Sequence, residues 1–100
     1  MMASAHDERP LATATRQYET ERVIVTEWRF PPGGHTGWHK HEYDYVVVPL
    51  TTGTLLLDTP TGDAHGDLVA GQSYGRGAGT EHDVINANDF EFVFIEIELK

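Results

Sequence analysis

The chain has no cysteine among its 100 residues. That excludes disulfides, thiolate-held metals and cysteine nucleophiles together. Basic residues are also scarce, seven Lys and Arg against sixteen Asp and Glu, for a formal net charge of −9. Phosphate backbones and anionic bilayers call for a basic surface, so neither nucleic acid nor membrane is an expected partner. No apolar run approaches the ~20 residues of a membrane helix. No signal-type apolar region follows the N-terminal methionines, which makes a cytoplasmic location the default expectation. Helical periodicity is missing too, since no segment keeps a 3.6-residue spacing through three turns.

What remains is a set of short β-branched and aromatic runs, broken by glycine and proline every eight to twelve residues or so. That pattern predicts an all-β sandwich or barrel, and a chain this short forms one domain. Residues 1–17 read as a loose N-terminal arm, in which Leu11 could anchor a short edge strand. Residues 18–100 read as the domain. Tyr18 to Phe30 predicts a strand, stopped by Pro31-Pro32-Gly33-Gly34 because proline lacks an N–H and glycine tolerates unusual dihedrals. Short strands follow at 54–58 and 66–70, around a hairpin at 59–63. The last strand is expected from Phe90 to Leu99, with Phe90, Phe92 and Phe94 on one face and Val93, Ile95 and Ile97 on the other. A strand apolar on both faces has to be covered on both. In so short a chain, that points to a homodimer.

The most informative stretch runs from Trp38 to Pro49, Trp-His-Lys-His-Glu-Tyr-Asp-Tyr-Val-Val-Val-Pro. As one continuous strand it would place His39, His41, Tyr43, Tyr45 and Val47 on one face. Imidazoles two residues apart, about 6.6 Å at the backbone, can converge on one ion at bonds of about 2.0–2.1 Å. Alone, a His-x-His pair is a weak signal and also describes two partly exposed strand histidines.

Gly33 precedes His39 with five residues between, and Gly53 follows the strand. A second run holds Gly71, Gly79, His82 and Asn86. Together these positions resemble the two cupin motifs, G-x5-H-x-H-x3,4-E-x6-G and G-x5-P-x-G-x2-H-x3-N, over residues 33–86. Two positions depart from the pattern: Gly77 stands in place of the proline, and Tyr45 and Val46 fill the positions where the glutamate would be. Asp44 is near, but its offset points it to the other face.

The resemblance implies a small double-stranded β-helix, or jelly-roll, barrel, with His39, His41 and His82 as metal ligands. Three neutral imidazoles suit a divalent transition metal, iron first, with zinc, nickel, copper or manganese as alternatives. Tyr45, in the carboxylate's place, is the candidate catalytic side chain, as a hydrogen-bonding neighbour more than as a phenolate ligand. His35 reads as an exposed loop histidine, Trp38 and Tyr43 as possible pocket walls, and Asn86 as a structural turn residue. Glu96 follows Phe94 on the same strand face and could supply a pocket carboxylate, but reads first as a solvated strand end, and His6 and His65 have no assigned role.

Similar cupins use iron held by three histidines for oxidative cleavage. The expected function is therefore a three-histidine metal-dependent dioxygenase acting on a small carboxylate or diketone-like molecule. The Trp38–Pro49 stretch is also similar to small bacterial cupins, some named for β-alanine breakdown. A non-enzymatic small-ligand or metal-binding module, and a metal-dependent isomerase or lyase, stay open as alternatives, because one fold hosts many chemistries.

Overall fold

The computed structural model describes residues 8–100. Every regular element among them is a strand. These are β1 (Thr13–Glu19), β2 (Val23–Phe30), β3 (His39–Lys40), β4 (Asp44–Pro49), β5 (Gly53–Thr59), β6 (Gly62–Leu68), β7 (Tyr74–Arg76), β8 (Glu81–Asn86) and β9 (Phe92–Leu99). They form a five-stranded sheet in the order β1-β2-β9-β4-β7 and a four-stranded sheet in the order β3-β8-β5-β6. All pairings between named strands are antiparallel. This is the jelly roll that the turn spacing and motifs predicted. No helix among the described residues is long and apolar enough to cross a membrane.

Between the sheets lies one core of Phe30, Tyr45, Val47, Leu55, Leu68, Val84, Phe92 and Phe94. Burying side chains of this size is worth about 1.5–3 kcal/mol each. The register explains the choice. Phe30 pairs with Phe92 and Trp28 with Phe94 across β2 and β9, so alternate residues of both strands face inward together. Phe30 and Phe94 pack at 5.4 Å between ring centroids.

Three expectations need correction. First, residues 13–17, expected as loose arm, are part of β1, which pairs with β2 along its length. Every β1 residue is exposed, so it lacks the buried alternation that would have marked it as a strand. The remainder of the expected arm falls partly outside the described residues, as does His6. Leu11 does make a lone bridge, to His35.

Second, Trp38 to Pro49 is not one strand. β3 pairs with β8 in one sheet, whereas β4 pairs with β9 and β7 in the other. Residues 41–43 carry the chain between the sheets. Third, Phe90 precedes β9 and is 44% exposed, while Phe92 and Phe94 are buried as expected.

The turns make two of the motif glycines intelligible. Gly79 has φ +90°, a conformation a side chain disfavours, and its N–H donates to the His41 carbonyl at 2.8 Å. At Gly53, an added Cβ would lie 2.9 Å from the Asn88 side chain, which itself bonds the Thr54 N–H and carbonyl. Asn86 is structural, as read from the sequence. Its Nδ2 donates to the carbonyls of Phe30, Pro31 and Phe90, and its Oδ1 accepts from Asn88.

Candidate metal centre

The crossover at residues 41–43 assembles the site. His39, on β3, pairs directly with His82, on β8. His41 lies just beyond β3, held by its N–H to the Thr80 carbonyl and by the Gly79 N–H on its own carbonyl. The glycine-rich loop therefore clamps His41 from both sides, and the imidazoles converge. His39 Nε2 lies 3.0 Å from His41 Nε2, which lies 3.2 Å from His82 Nε2. One ligand nitrogen from each ring falls within 4.8 Å of the others. The three histidines predicted from the sequence are thus brought together. His35 and His65 lie outside the group, and Tyr45 borders it.

The donor set fits a metal. Two nitrogens each about 2.1 Å from an ion stand about 3.0 Å apart at a right angle and about 3.4 Å apart at the tetrahedral angle. The observed 3.0 and 3.2 Å lie in that range. Imidazole lone pairs this close repel unless a proton or cation lies between them. His39 Nδ1 lies 2.9 Å from the Gly37 carbonyl, which only accepts, so Nδ1 carries the hydrogen and Nε2 presents its lone pair.

Burial, and secondarily His39, push the His41 pKa down to about 4. Burial, followed by His39 and His41, does the same to His82, also to about 4. Both rings are therefore neutral and able to ligate at neutral pH.

Tyr45 is 3% exposed and its ring stacks on His41 at 3.8 Å between centroids. Its hydroxyl is buried with no hydrogen-bond partner of standard geometry among the described residues. Burial pushes its pKa up to about 12, which keeps the phenol protonated and suits a hydrogen-bond donor. Asp44 takes no part in the centre, as its offset implied. It accepts from the Ala78 N–H at 2.8 Å and pins the glycine loop.

Four side chains sit elsewhere than expected. Glu96, read as a solvated strand end, is 7% exposed and lines the same pocket as the histidines. Its Oε1 accepts from Trp28 Nε1 at 3.4 Å, and its Oε2 lies 3.9 Å from His41 Nδ1, beyond hydrogen-bonding distance. Burial first, then Glu98, push its pKa up to about 7. The signal was present in the sequence: Glu96 continues the inward series Phe92, Phe94 at the two-residue period.

His35, read as exposed, is 7% exposed. Its Nδ1 bonds both Asp83 carboxylate oxygens, at 2.9 and 3.2 Å. Trp38 is 49% exposed and donates to Glu81. Neither it nor Tyr43 lines the pocket, and Trp28 forms that wall instead.

These shifts set the pH dependence of the metal-free chain. Between pH 4.5 and 6.5 the unfolded chain protonates His41 and His82 while the folded one does not, so stability falls on acidification. Glu96 acts oppositely: its carboxyl is protonated in the folded form up to about 7, and that contribution is lost as pH rises. Two histidines outweigh one glutamate below pH 6.5, and the two contributions nearly cancel towards pH 7. The midpoint of thermal unfolding of metal-stripped protein should therefore rise from pH 4.5 to about 6.5 and level off towards 7. A steady fall across that range would show that the two imidazoles are not held neutral.

The pocket under the histidines is narrow. About 30 Å³ of it admits the centre of a water-sized sphere, room for a few small atoms. Val47, Leu55, Leu57, Val84 and Phe94 form its apolar wall, and Thr36, Tyr45, Arg76 and Glu96 supply polar groups.

Known proteins share this architecture. The cupin-domain family model matches residues 26–98. A Pseudomonas aeruginosa protein named Beta-alanine degradation protein BauB is 63% identical over 92 residues, covering 92% of this chain and 97% of that one. A solved cupin domain from Bordetella pertussis superposes with a TM-score of 0.92 at 62% identity, covering 93% of this chain and 97% of that one. A protein with a double-stranded β-helix domain from Klebsiella pneumoniae matches in fold alone, with a TM-score of 0.73 at 19% identity, covering 99% of this chain and 90% of that one. Fold, motif spacing and these similarities agree that the chain belongs to the cupin family.

Proposed function

We propose that the protein is a three-histidine metal-dependent dioxygenase acting on a small organic substrate, with iron as the working metal. The observation that carries this reading is the convergence of three imidazole nitrogens, with no carboxylate among them, in the lining of a narrow pocket. A ferrous ion held there would supply the oxygen chemistry.

The chain's own residues would do the rest. His39, His41 and His82 would hold the ion. The apolar wall excludes water. Tyr45 donates a hydrogen bond to whatever occupies the space beside His41. The pocket's size limits the substrate to a few non-hydrogen atoms beyond the metal. The name of the P. aeruginosa relative is in keeping with a molecule that small.

Oxygen consumption by iron-loaded protein with short carboxylates, diketones and β-alanine-derived compounds tests the reading. No uptake with any of them, alongside proton exchange at a substrate carbon, would favour an isomerase or lyase instead.

Tyr45→Phe should leave metal content within about twofold of the parent, since the phenol is a neighbour of the ligands, and should weaken small-ligand binding by about fivefold to tenfold. Metal analysis and calorimetry on the same sample check both halves. Metal loss on the scale of a histidine variant would make Tyr45 a ligand.

The working unit in this proposal is a homodimer. Tyr45 and Val47 face the core, so Val46 and Val48 point outward, beside Val25, Ile95 and Ile97 in the paired strands. All five are only half-buried, and they form a contiguous apolar sheet face of the kind a subunit interface covers. Light scattering should give twice the chain mass at micromolar concentration, and Val46→Glu should shift it towards one. A parent protein that scatters as a monomer would overturn this.

A further inference from the structure

The pocket wall on the five-stranded sheet carries carboxyl groups at one end and a guanidinium, on an exposed residue, at the other. Across that sheet the register places Glu98, Tyr45 and Arg76 in one row and Glu96, Val47 and Tyr74 in the next, on β9, β4 and β7 respectively. Neighbouring strands are about 4.8 Å apart, so the carboxylates on β9 and the guanidinium on β7 stand about 10 Å apart at the backbone, with the Tyr45 ring between them. Arg76 and Glu96 both line the histidine pocket.

Neither group is paired with an opposite charge among the described residues. Arg76 has no carboxylate partner among the described residues; its guanidinium lies over the Tyr74 ring at 5.6 Å. It is close enough for its charge to act on both Tyr45 and His82. Glu96 is buried, with Trp28 as its only hydrogen-bond donor and no Lys or Arg paired to it among the described residues. Glu98 and Glu42 add negative charge at the adjoining mouth, against Lys40 alone. The Tyr45 hydroxyl, buried and without a hydrogen-bond partner of standard geometry among the described residues, sits in the same row as Arg76.

Buried carboxylates and hydroxyls without partners are costly, and a ligand that completes them recovers that cost. A carboxylate fits the Arg76 end, since a guanidinium fork and a phenol O–H are matched donors for it. An ammonium group fits the Glu96 end, because a donor-only cation there favours the ionised carboxylate over the protonated form that burial favours. We propose that the pocket takes a short zwitterion, a small amino acid whose carboxylate is held by Arg76 and Tyr45 and whose ammonium group is held by Glu96, with Glu98 behind it. The inference rests on reading the histidine pocket as the substrate site and adds the substrate's chemical class.

Calorimetry on zinc-loaded full-length protein tests it without turnover, using β-alanine, propionate and propylamine as probes. β-Alanine should bind about tenfold or more tightly than either singly charged analogue. Arg76→Gln should weaken β-alanine and propionate by about tenfold and leave propylamine unchanged. Glu96→Gln should weaken β-alanine and propylamine and leave propionate unchanged. If Glu96→Gln loses its metal, the three-ligand ranking on the parent protein and on Arg76→Gln still decides.

Propionate binding as tightly as β-alanine would show that the metal alone holds the carboxylate, and would overturn the proposal. So would Arg76→Gln with unchanged affinities, or no measurable binding of β-alanine. The outcome separates from the dioxygenase reading. β-Alanine binding in the predicted order without oxygen uptake by the iron form overturns that reading only. Oxygen uptake with an uncharged substrate, and no zwitterion preference, overturns this one only.

Discussion

Purified beside the parent protein, His82→Ala is expected to retain less than about a hundredth of its metal affinity. His39→Ala and His41→Ala should behave alike. Each leaves two imidazoles, and two neutral nitrogen ligands without a carboxylate hold a divalent ion weakly. The three act as a unit only in the fold, because His82 reaches the other two through the β3–β8 pairing. Metal binding should therefore also raise thermal stability in the parent and much less in each variant.

Metal per chain by elemental analysis is the deciding measurement, with circular dichroism as the control. The dichroism should stay β-rich, since Phe30, Leu68 and Phe92 of the core pack away from the histidine pocket. Full occupancy in His82→Ala would remove it from the ligand set. His65→Ala, on the exposed face of β6, should leave occupancy unchanged.

The second large effect is on stability. His35→Ala should destabilise the fold by about 3 kcal/mol. It removes the partner of both oxygens of Asp83, which is 3% exposed, and leaves a carboxylate in the interior with only the Gly37 N–H. The same histidine joins the N-terminal segment to the barrel through its backbone, accepting from the Ala12 N–H and donating to the Pro10 carbonyl. His35 is not one of the clustered histidines, so metal per folded chain should be retained. Urea denaturation of parent and variant, each stripped of metal, reads the difference. A change below about 0.5 kcal/mol would mean that the pair contributes nothing beyond a surface contact.

These two predictions separate the clustered histidines, which the motif spacing marked, from His35, whose burial it did not. His35 lies in a glycine-flanked loop, where an exposed side chain is the ordinary outcome. Its partner Asp83 is distant in sequence and looks like any charged strand residue. Nothing local marks the pair, because the His35 segment is held between the N-terminal segment and β8 by bridges to Leu11 and Ile85. Glu96 was misjudged for a related reason. Its two-residue spacing from Phe94 placed it on the inner face, but a carboxylate in a core position runs against the burial preference of charged groups. Only the pocket shows why one is there.

The amino-acid sequence by itself determined the class of fold and the identity of the clustered histidines. Alternation and turn residues act locally, within a strand and its hairpin, and the glycine and histidine spacings of both motifs survive any detail of packing. Tertiary structure decided how the site is built. The stretch around His39 and His41 is no single strand. The chain changes sheets there, because β3 finds β8 while β4 finds β9, and pairing partners chosen across the whole barrel leave no trace in a two-residue period. The same long-range pairing set Glu96, Tyr45 and Arg76 across one wall, buried Asp83 against His35, and gave β1 a partner despite its wholly exposed surface. Local physics writes strands into the sequence, whereas the neighbours of each strand, and hence the pocket between them, follow from closing two sheets over one core.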